Sequence, residues 1–110
     1  MKQWKDQKTI ILPLKGKLMG GIETKNLEER IHRLIQRGVQ CLILDLSRVR
    51  WANGSGIGCL VGAQKEIETA GGSFKLVNPS RKVQTIIEMT HLGSILNVAQ
   101  TADVYAGLSH

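Results

Sequence analysis

Aromatic residues are scarce in this chain. Only Trp4, Trp51, Phe74 and Tyr105 occur among its 110 residues, and they are scattered. Proteins that bind single-stranded nucleic acids usually stack the bases on aromatic side chains beside basic ones. The sequence therefore does not predict a nucleic-acid-binding module, although its net charge is +6.

A stripe of basic residues lies on the first predicted helix. Arg30, Arg33 and Arg37 recur at helical spacing, and Glu28 and Glu29 precede them. Acidic residues early and basic residues late in a helix complement its dipole and form surface pairs. We interpret the stripe as a solvated helix face; a nucleic-acid or small-ligand patch is the alternative.

Cysteines and long apolar runs are also few. Cys41 and Cys59 have no second cysteine or histidine at metal-ligand spacing, which indicates buried thiols in a reducing compartment and no metal site. No apolar stretch approaches the roughly 20 residues of a membrane span, and the first eight residues lack the apolar core of a secretory signal. We expect a cytoplasmic protein with no membrane span and no cofactor.

The chain also lacks a recognisable catalytic constellation. Ser55, His91 and Asp45 could be imagined as a hydrolytic triad, but Asn53 stands where the nucleophile elbow needs its first glycine. The three histidines lie on different predicted elements: His32, His91 and His110. We therefore expect that the protein is not an enzyme.

The hydrophobic pattern predicts strands that alternate with helices. The predicted strands are Thr9–Gly16, Val39–Leu46, Ser73–Val77 and Ile95–Val98. The predicted helices run from a cap at Thr24 or Asn26 to Gly38, from Ser55 or Gly56 to Gly71, from Ser80 to Gly93, and over Thr101–Ala106. Pro13 predicts an edge position or a bulge for the first strand. We expect a single α/β domain over residues 1–110, with an at least partly parallel sheet.

The segment Asp45–Gly58 runs from the end of the predicted central strand, through a polar loop, into the start of the second helix, where open sheets of this kind bind ligands. Cys59 rules out the dinucleotide fingerprint, because a glycine is needed there. One hydroxyl remains, that of Ser55, between Gly54 and Gly56 and at the positive end of a helix dipole. Ser55 is either an anion or modification site or simply the N-cap of the helix.

Two runs in this segment resemble the signature of the STAS domain, the fold of bacterial anti-sigma factor antagonists. They are Leu44–Val49 and Asn53–Gly58, and further family-like positions are Gly16–Leu18, Asn78–Pro79 and His91–Gly93. The resemblance implies a small mixed, partly parallel β-sheet of four to five strands with helices packed mainly on one side.

The resemblance also implies a function as a protein-binding switch. Ser55 occupies the position of the family's phosphorylated serine. The implied partners are an anti-sigma factor that is also the serine kinase, and a cognate phosphatase that restores binding. Phosphorylation would add about −2 charge at the centre of the docking surface.

Two departures from the family pattern remove negative charge beside Ser55. Asn53 stands where the family usually has aspartate, and Met19 and Gly20 stand where an acidic residue often follows the first strand. Gly54 replaces the first serine of the pair. These differences support the alternative that the chain is a scaffold or interaction subunit of a larger signalling or transport assembly and is never phosphorylated.

We predict a partner-binding surface at the same loop. Trp51 is either an aromatic residue that closes the strand or an interface anchor, because Trp and Arg dominate many binding energies. The predicted partner-binding residues are Arg50, Trp51, Asn53, Gly54, Ser55 and Gly56.

Overall fold

The computed structural model describes residues 9–99, in which strands and helices alternate. The strands are β1 (Thr9–Leu18), β2 (Cys41–Ala52), β3 (Ser73–Val77) and β4 (Val98–Ala99). The helices are α1 (Ile22–Gln36), α2 (Gly54–Thr69) and α3 (Arg81–Met89). The predicted helix Thr101–Ala106 lies outside the described residues.

The four described strands form one sheet in the order β1-β2-β3-β4, and every pairing is parallel. Because crossovers between parallel strands are almost always right-handed, this sequential order puts the connecting helices on one face. One core cluster accordingly includes buried residues of all three helices. The predicted α/β class, the parallel pairing and the one-sided helices are confirmed; within residues 9–99 no antiparallel strand makes the sheet mixed.

The central strand β2 is buried on both faces. Leu42, Leu44 and Leu46 belong to the core shared with the helices, whereas Ile43 packs with Val77 in a second cluster. A strand covered on both faces needs apolar residues at successive positions. This explains the continuous apolar run that the sequence shows.

The first strand is irregular at its proline, as the sequence predicts. The register between β1 and β2 shifts between Pro13 and Lys15, and β1 lies at an edge of the described sheet. Proline lacks a backbone N–H for the ladder, so an edge strand with a bulge accommodates it.

The loop predicted between Leu46 and Ser55 is wrong for most of its length. β2 continues to Ala52, because its last residues pair with the end of β1 and bring Ala52 opposite Leu18. Val49 and Ala52 are buried and fix this extension against the core. The polar residues Ser47, Arg48 and Arg50 indicated a loop, but they are exposed residues of a paired strand.

The start of α1 also differs from the prediction. The helix begins at Ile22 after Gly21, and neither Thr24 nor Asn26 caps it. Thr24 is buried, and its hydroxyl accepts a hydrogen bond from the backbone N–H of Gly20 at 2.9 Å. Its side chain therefore holds the preceding turn. The predicted end at Gly38 is confirmed, since Gly38 has a left-handed φ of 88° directly after the C-cap.

The last described elements are shorter than predicted. Ser80 caps α3 as expected, but the helix ends at Met89, because His91 adopts a left-handed φ of 61°. β4 begins at Val98 and not at Ile95. The Ile95 carbonyl accepts from the buried Gln64 side chain at 2.7 Å, and the Asn97 N–H donates to the same side chain at 2.9 Å.

The start of α2 is held by Asn53. Its side-chain oxygen accepts from the Gly56 N–H at 2.9 Å, so Asn53 is the N-cap. Its amide nitrogen donates to the Met19 carbonyl at 3.1 Å, and its backbone N–H donates to the Leu18 carbonyl at 3.0 Å. Asn53 therefore joins α2 to the turn between β1 and α1.

Gly56 lets the first turn of α2 pack directly on the end of β1. A Cβ atom on Gly56 would lie 1.9 Å from the Leu18 carbonyl oxygen, whereas a Cβ atom on Gly58 would meet nothing within 4 Å. Among residues 9–99, no helix is long and apolar enough to cross a membrane.

We expect Gly56→Ala to lower the free energy of unfolding by about 3 kcal/mol, because the added methyl group overlaps backbone atoms that cannot move independently. Gly58→Ala is the matched control in the same helix. It should raise stability by about 0.5 to 1 kcal/mol, since alanine loses less entropy than glycine in a helix. Urea denaturation measures both, and equal effects of the two substitutions would contradict the close approach of α2 to β1.

We expect Asn53→Ala to lower the free energy of unfolding by about 2 kcal/mol, because it removes a cap and a hydrogen bond to Met19 worth about 1 kcal/mol each. Asn53→Asp should lower it by about 1 kcal/mol or less. Its carboxylate can still accept from Gly56 but cannot donate to Met19. Thermal and urea denaturation at neutral pH test the order, and full stability of Asn53→Ala would refute it.

Candidate functional site

The candidate site lies at the carboxyl edge of the sheet. All described strands are parallel, so the helices that follow β1, β2 and β3 begin at this one edge. Ligand sites in open parallel sheets occur at this edge. Two of the starting points, the Met19–Gly21 turn and the beginning of α2, are in direct contact through Asn53.

Ser55 is the second residue of α2, and it is exposed to solvent. Asn53 provides the cap, so the alternative that Ser55 is only the N-cap is wrong. Within residues 9–99, the Ser55 hydroxyl forms no hydrogen bond. It is therefore free for chemistry or for contact with a partner.

Gly20 lies against Ser55. Gly20 has a left-handed φ of 82°, and a Cβ atom on it would lie 2.5 Å from the Ser55 Cβ. Gly54 has open space around it. Ser55 is thus exposed and bordered by two glycines, which leaves room for a group attached to its oxygen.

The electrostatic environment of Ser55 is positive. The first N–H groups of a helix have no partner within the helix, and they carry the positive end of its dipole. α2 has no acidic residue in its first turn, whereas the first turn of α1, which follows Gly20, carries Glu23. An anionic group on Ser55 would meet backbone donors and no carboxylate of α2's first turn.

Arg50 and Trp51 are exposed at the end of β2, at the same edge of the sheet. Arg50 lines a depression of about 500 Å³ together with Lys17, Met19 and Ile22. Trp51 lies opposite Lys17 in the β1–β2 register and is 41% exposed. Trp51 therefore lies at the surface, where both a strand-closing and an anchoring role remain available to it.

Several residues at this edge were not predicted from the sequence. Met19 and Ile22 are 42% and 78% exposed, and both border the depression beside Arg50. Lys82 of α3 places its Nζ atom 5.4 Å from the centre of the Trp51 ring, a cation–π contact. Ile22 could have been noticed, because it precedes the apolar stripe of α1 and does not continue it.

Asp45 does not take part in the Ser55 site. Its carboxylate accepts from the Ser47 N–H at 2.9 Å and from the Asn78 amide at 3.3 Å. Although slight burial alone would raise its pKa, these hydrogen bonds and the nearby Arg48 hold the pKa of Asp45 below its usual range. Asp45 is therefore an ionised, structurally used carboxylate.

The two cysteines are free thiols. Cys59 is buried in α2, where burial and the adjacent Glu28 carboxylate raise its pKa to about 11. A thiol with this pKa is protonated at neutral pH and is a poor nucleophile. In residues 9–99, no group of three or more His, Cys, Asp and Glu side chains could hold a metal ion.

Two proteins named as anti-sigma factor antagonists are similar to this chain in sequence. A Thermotoga maritima protein named as an anti-sigma factor antagonist is 29% identical over 98 residues, which cover 87% of this chain and 84% of that protein. The anti-sigma-B factor antagonist of Bacillus subtilis is 29% identical over 77 residues, 70% of each chain.

Solved structures share the fold. The unphosphorylated anti-sigma factor antagonist SpoIIAA superposes with a TM-score of 0.74 at 23% identity, covering 94% of this chain and 90% of that one. Its phosphorylated form superposes with a TM-score of 0.68 at 22% identity, covering 93% and 92%. The family model described as "STAS domain" matches residues 3–104. The chain therefore belongs to the STAS domain family, with the fold of the anti-sigma factor antagonists.

Proposed function

We propose that this protein is an anti-sigma factor antagonist. It binds an anti-sigma factor that is also a serine kinase, through the surface around Ser55. Phosphorylation of Ser55 by this kinase releases the complex, and a phosphatase restores binding. The protein itself is a binding switch and not an enzyme, and it acts in the cytoplasm, where Cys41 and Cys59 remain reduced thiols.

The observation that carries this proposal is the free hydroxyl of Ser55. In many helices a serine in the first turn is a cap, with its oxygen already used. Here Asn53 takes that role, while Ser55 is exposed and bordered by Gly20 and Gly54. The local structure is complete without the Ser55 oxygen, so modification of that oxygen does not require the helix to unfold.

A phosphate on Ser55 can be accommodated locally and still block a partner. Near the start of α2 it gains from the helix dipole, typically by 0.3 to about 1 kcal/mol at an exposed position. It also adds about −2 charge and three acceptor oxygens at a position that carries only a neutral hydroxyl before modification. A partner fitted to the unmodified surface loses both shape and charge complementarity.

The residues around Ser55 suit a protein interface. Trp51 and Arg50 are of the types that dominate binding energies, and both are exposed beside the site. Asn53, Gly54 and Gly56 form the beginning of α2 that presents Ser55. We assign Arg50, Trp51, Asn53, Gly54 and Ser55 to the partner contact, with Trp51 as an anchor. Gly56 is buried against Leu18, so its predicted contact with a partner is wrong and it supports the surface from beneath.

The relatives support the proposal by their names. Anti-sigma factor antagonists occur among both the sequence relatives and the solved structures, and SpoIIAA has been described in unphosphorylated and phosphorylated forms. Asn53 in place of the family's usual aspartate is compatible with the proposal. Its amide caps α2 as a carboxylate would, and it leaves Ser55 free.

The test uses the purified anti-sigma factor kinases of the organism that encodes this protein, with wild type, Ser55→Ala and Ser55→Asp. We expect the kinase to bind wild type and Ser55→Ala similarly. It should bind Ser55→Asp about 5- to 150-fold more weakly, which corresponds to a coupling of 1 to 3 kcal/mol. With ATP, mass spectrometry should find phosphate on Ser55 of wild type.

Ser94→Asp is the matched control, because it makes the same change at an exposed position in the loop after α3, at the opposite edge of the sheet. It should bind like wild type. Equal binding of all four proteins, without phosphate on Ser55, would refute the switch and favour a constitutive scaffold subunit.

A further inference from the structure

The surface around Ser55 carries a cluster of cations. Five of the exposed basic residues at the carboxyl ends of β1 and β2 and on the first turn of α3 form this cluster. We call them the basic collar: Lys15, Lys17, Arg48, Arg50 and Lys82.

The structure brings the collar residues together from three elements. Lys15 lies opposite Arg48 in the β1–β2 register, and neighbouring strands are about 4.8 Å apart. Lys17 lies opposite Trp51, and Lys82 lies over the ring of that tryptophan. The collar is therefore continuous across the end of β1, the end of β2 and the start of α3.

The positive charge of the collar is poorly compensated. None of its five residues forms an ion pair with a carboxylate in residues 9–99. Two carboxylates lie near it: Asp45, whose charge interacts with Arg48, and Glu23, which lines the depression beside Arg50 and Lys17. Burying such a surface against a neutral or basic partner would leave uncompensated cations, which is costly.

Exposed apolar side chains lie within the same surface. Met19 and Ile22 border the depression beside Arg50, and Trp51 lies between Lys17 and Lys82. Apolar anchors surrounded by charged residues are typical of protein interfaces, in which Trp, Met and Arg are enriched. Bare polyanion binding would not require these anchors.

We infer that the basic collar selects a protein partner whose contact face is acidic, and that its charge sets the rate of association. This inference rests on the proposed function, since the partner is the anti-sigma factor kinase. The apolar anchors Met19, Ile22 and Trp51 hold the complex once formed, whereas the collar steers the encounter. Phosphate on Ser55 cancels part of the collar's charge and reduces the same attraction.

The test compares two double variants that each remove two positive charges. Lys17→Gln/Arg50→Gln removes them from the collar. Arg33→Gln/Lys65→Gln removes them from exposed positions on α1 and α2 away from it. Glutamine keeps the side chains long and polar in both variants, and urea denaturation verifies that both are folded.

Association rates with the purified anti-sigma factor kinase are measured by stopped flow from low salt to about 0.3 M salt, which shortens the screening length severalfold. We expect the collar variant to associate about tenfold more slowly than wild type at low salt, with a weaker salt dependence. The control variant should keep the wild-type rate and most of its salt dependence.

The outcomes separate the two proposals. If wild type binds the kinase but both double variants associate equally fast, the collar does not select the partner and this inference is wrong. If wild type binds none of the purified kinases, the proposed function fails, and the inference fails with it.

A single-stranded oligonucleotide is a further probe. If the oligonucleotide competes with the kinase for this protein at physiological salt and at similar concentrations, the collar binds nucleic acid and the inference is wrong.

Discussion

The contact between the first turn of α2 and the end of β1 is the constraint on which the site depends. Gly56 permits it, because any side chain there would overlap the Leu18 carbonyl. Asn53 fixes it with three hydrogen bonds, to Gly56, Met19 and Leu18. Together they place Ser55 against Gly20 and leave its oxygen free. The exposed hydroxyl is thus a consequence of tight backbone packing beneath it.

This arrangement assigns the structural role and the proposed regulatory role to different neighbouring residues. Asn53 and Gly56 form the hydrogen bond that caps α2, whereas Ser55 lies between them and contributes nothing to the cap. A chemical change at Ser55 therefore alters the surface without weakening the fold. A coupling of a few kcal/mol between modification and binding is enough for a switch. A protein can obtain this coupling from a change of surface charge alone, with no change of backbone conformation.

Much of the fold could be predicted from the sequence where local chemistry decides. Pro13 indicated the bulged edge strand, Gly38 the end of α1 and Ser80 the cap of α3, and the structure has all three. These features depend on one residue's own geometry or on its near neighbours. The resemblance to the STAS family implied the one-sided helices, which the structure has, whereas the partner-binding site that it implied stays a prediction.

Features that depend on distant partners could not be predicted. β2 continues through a polar segment because β1 is there to pair with it. β4 begins late because Gln64, more than thirty positions earlier, takes the polar groups of Ile95 and Asn97. The second hydrogen bond of Asn53, to Met19, likewise spans 34 positions. The collar is of the same kind, since Lys82 reaches Trp51 from another element.

The sequential strand order has a consequence for how the chain assembles. Thr9 pairs with Cys41, and Cys41 pairs with Ser73, so each strand docks on the one made just before it. Each of these two pairings spans 32 positions, and closing such a segment costs less entropy than pairing more distant parts of the chain does. The topology permits growth of the sheet in one direction during synthesis. The turn at Gly20 and the start of α2 can meet as soon as the first two strands and α2 have left the ribosome, before β3 has emerged.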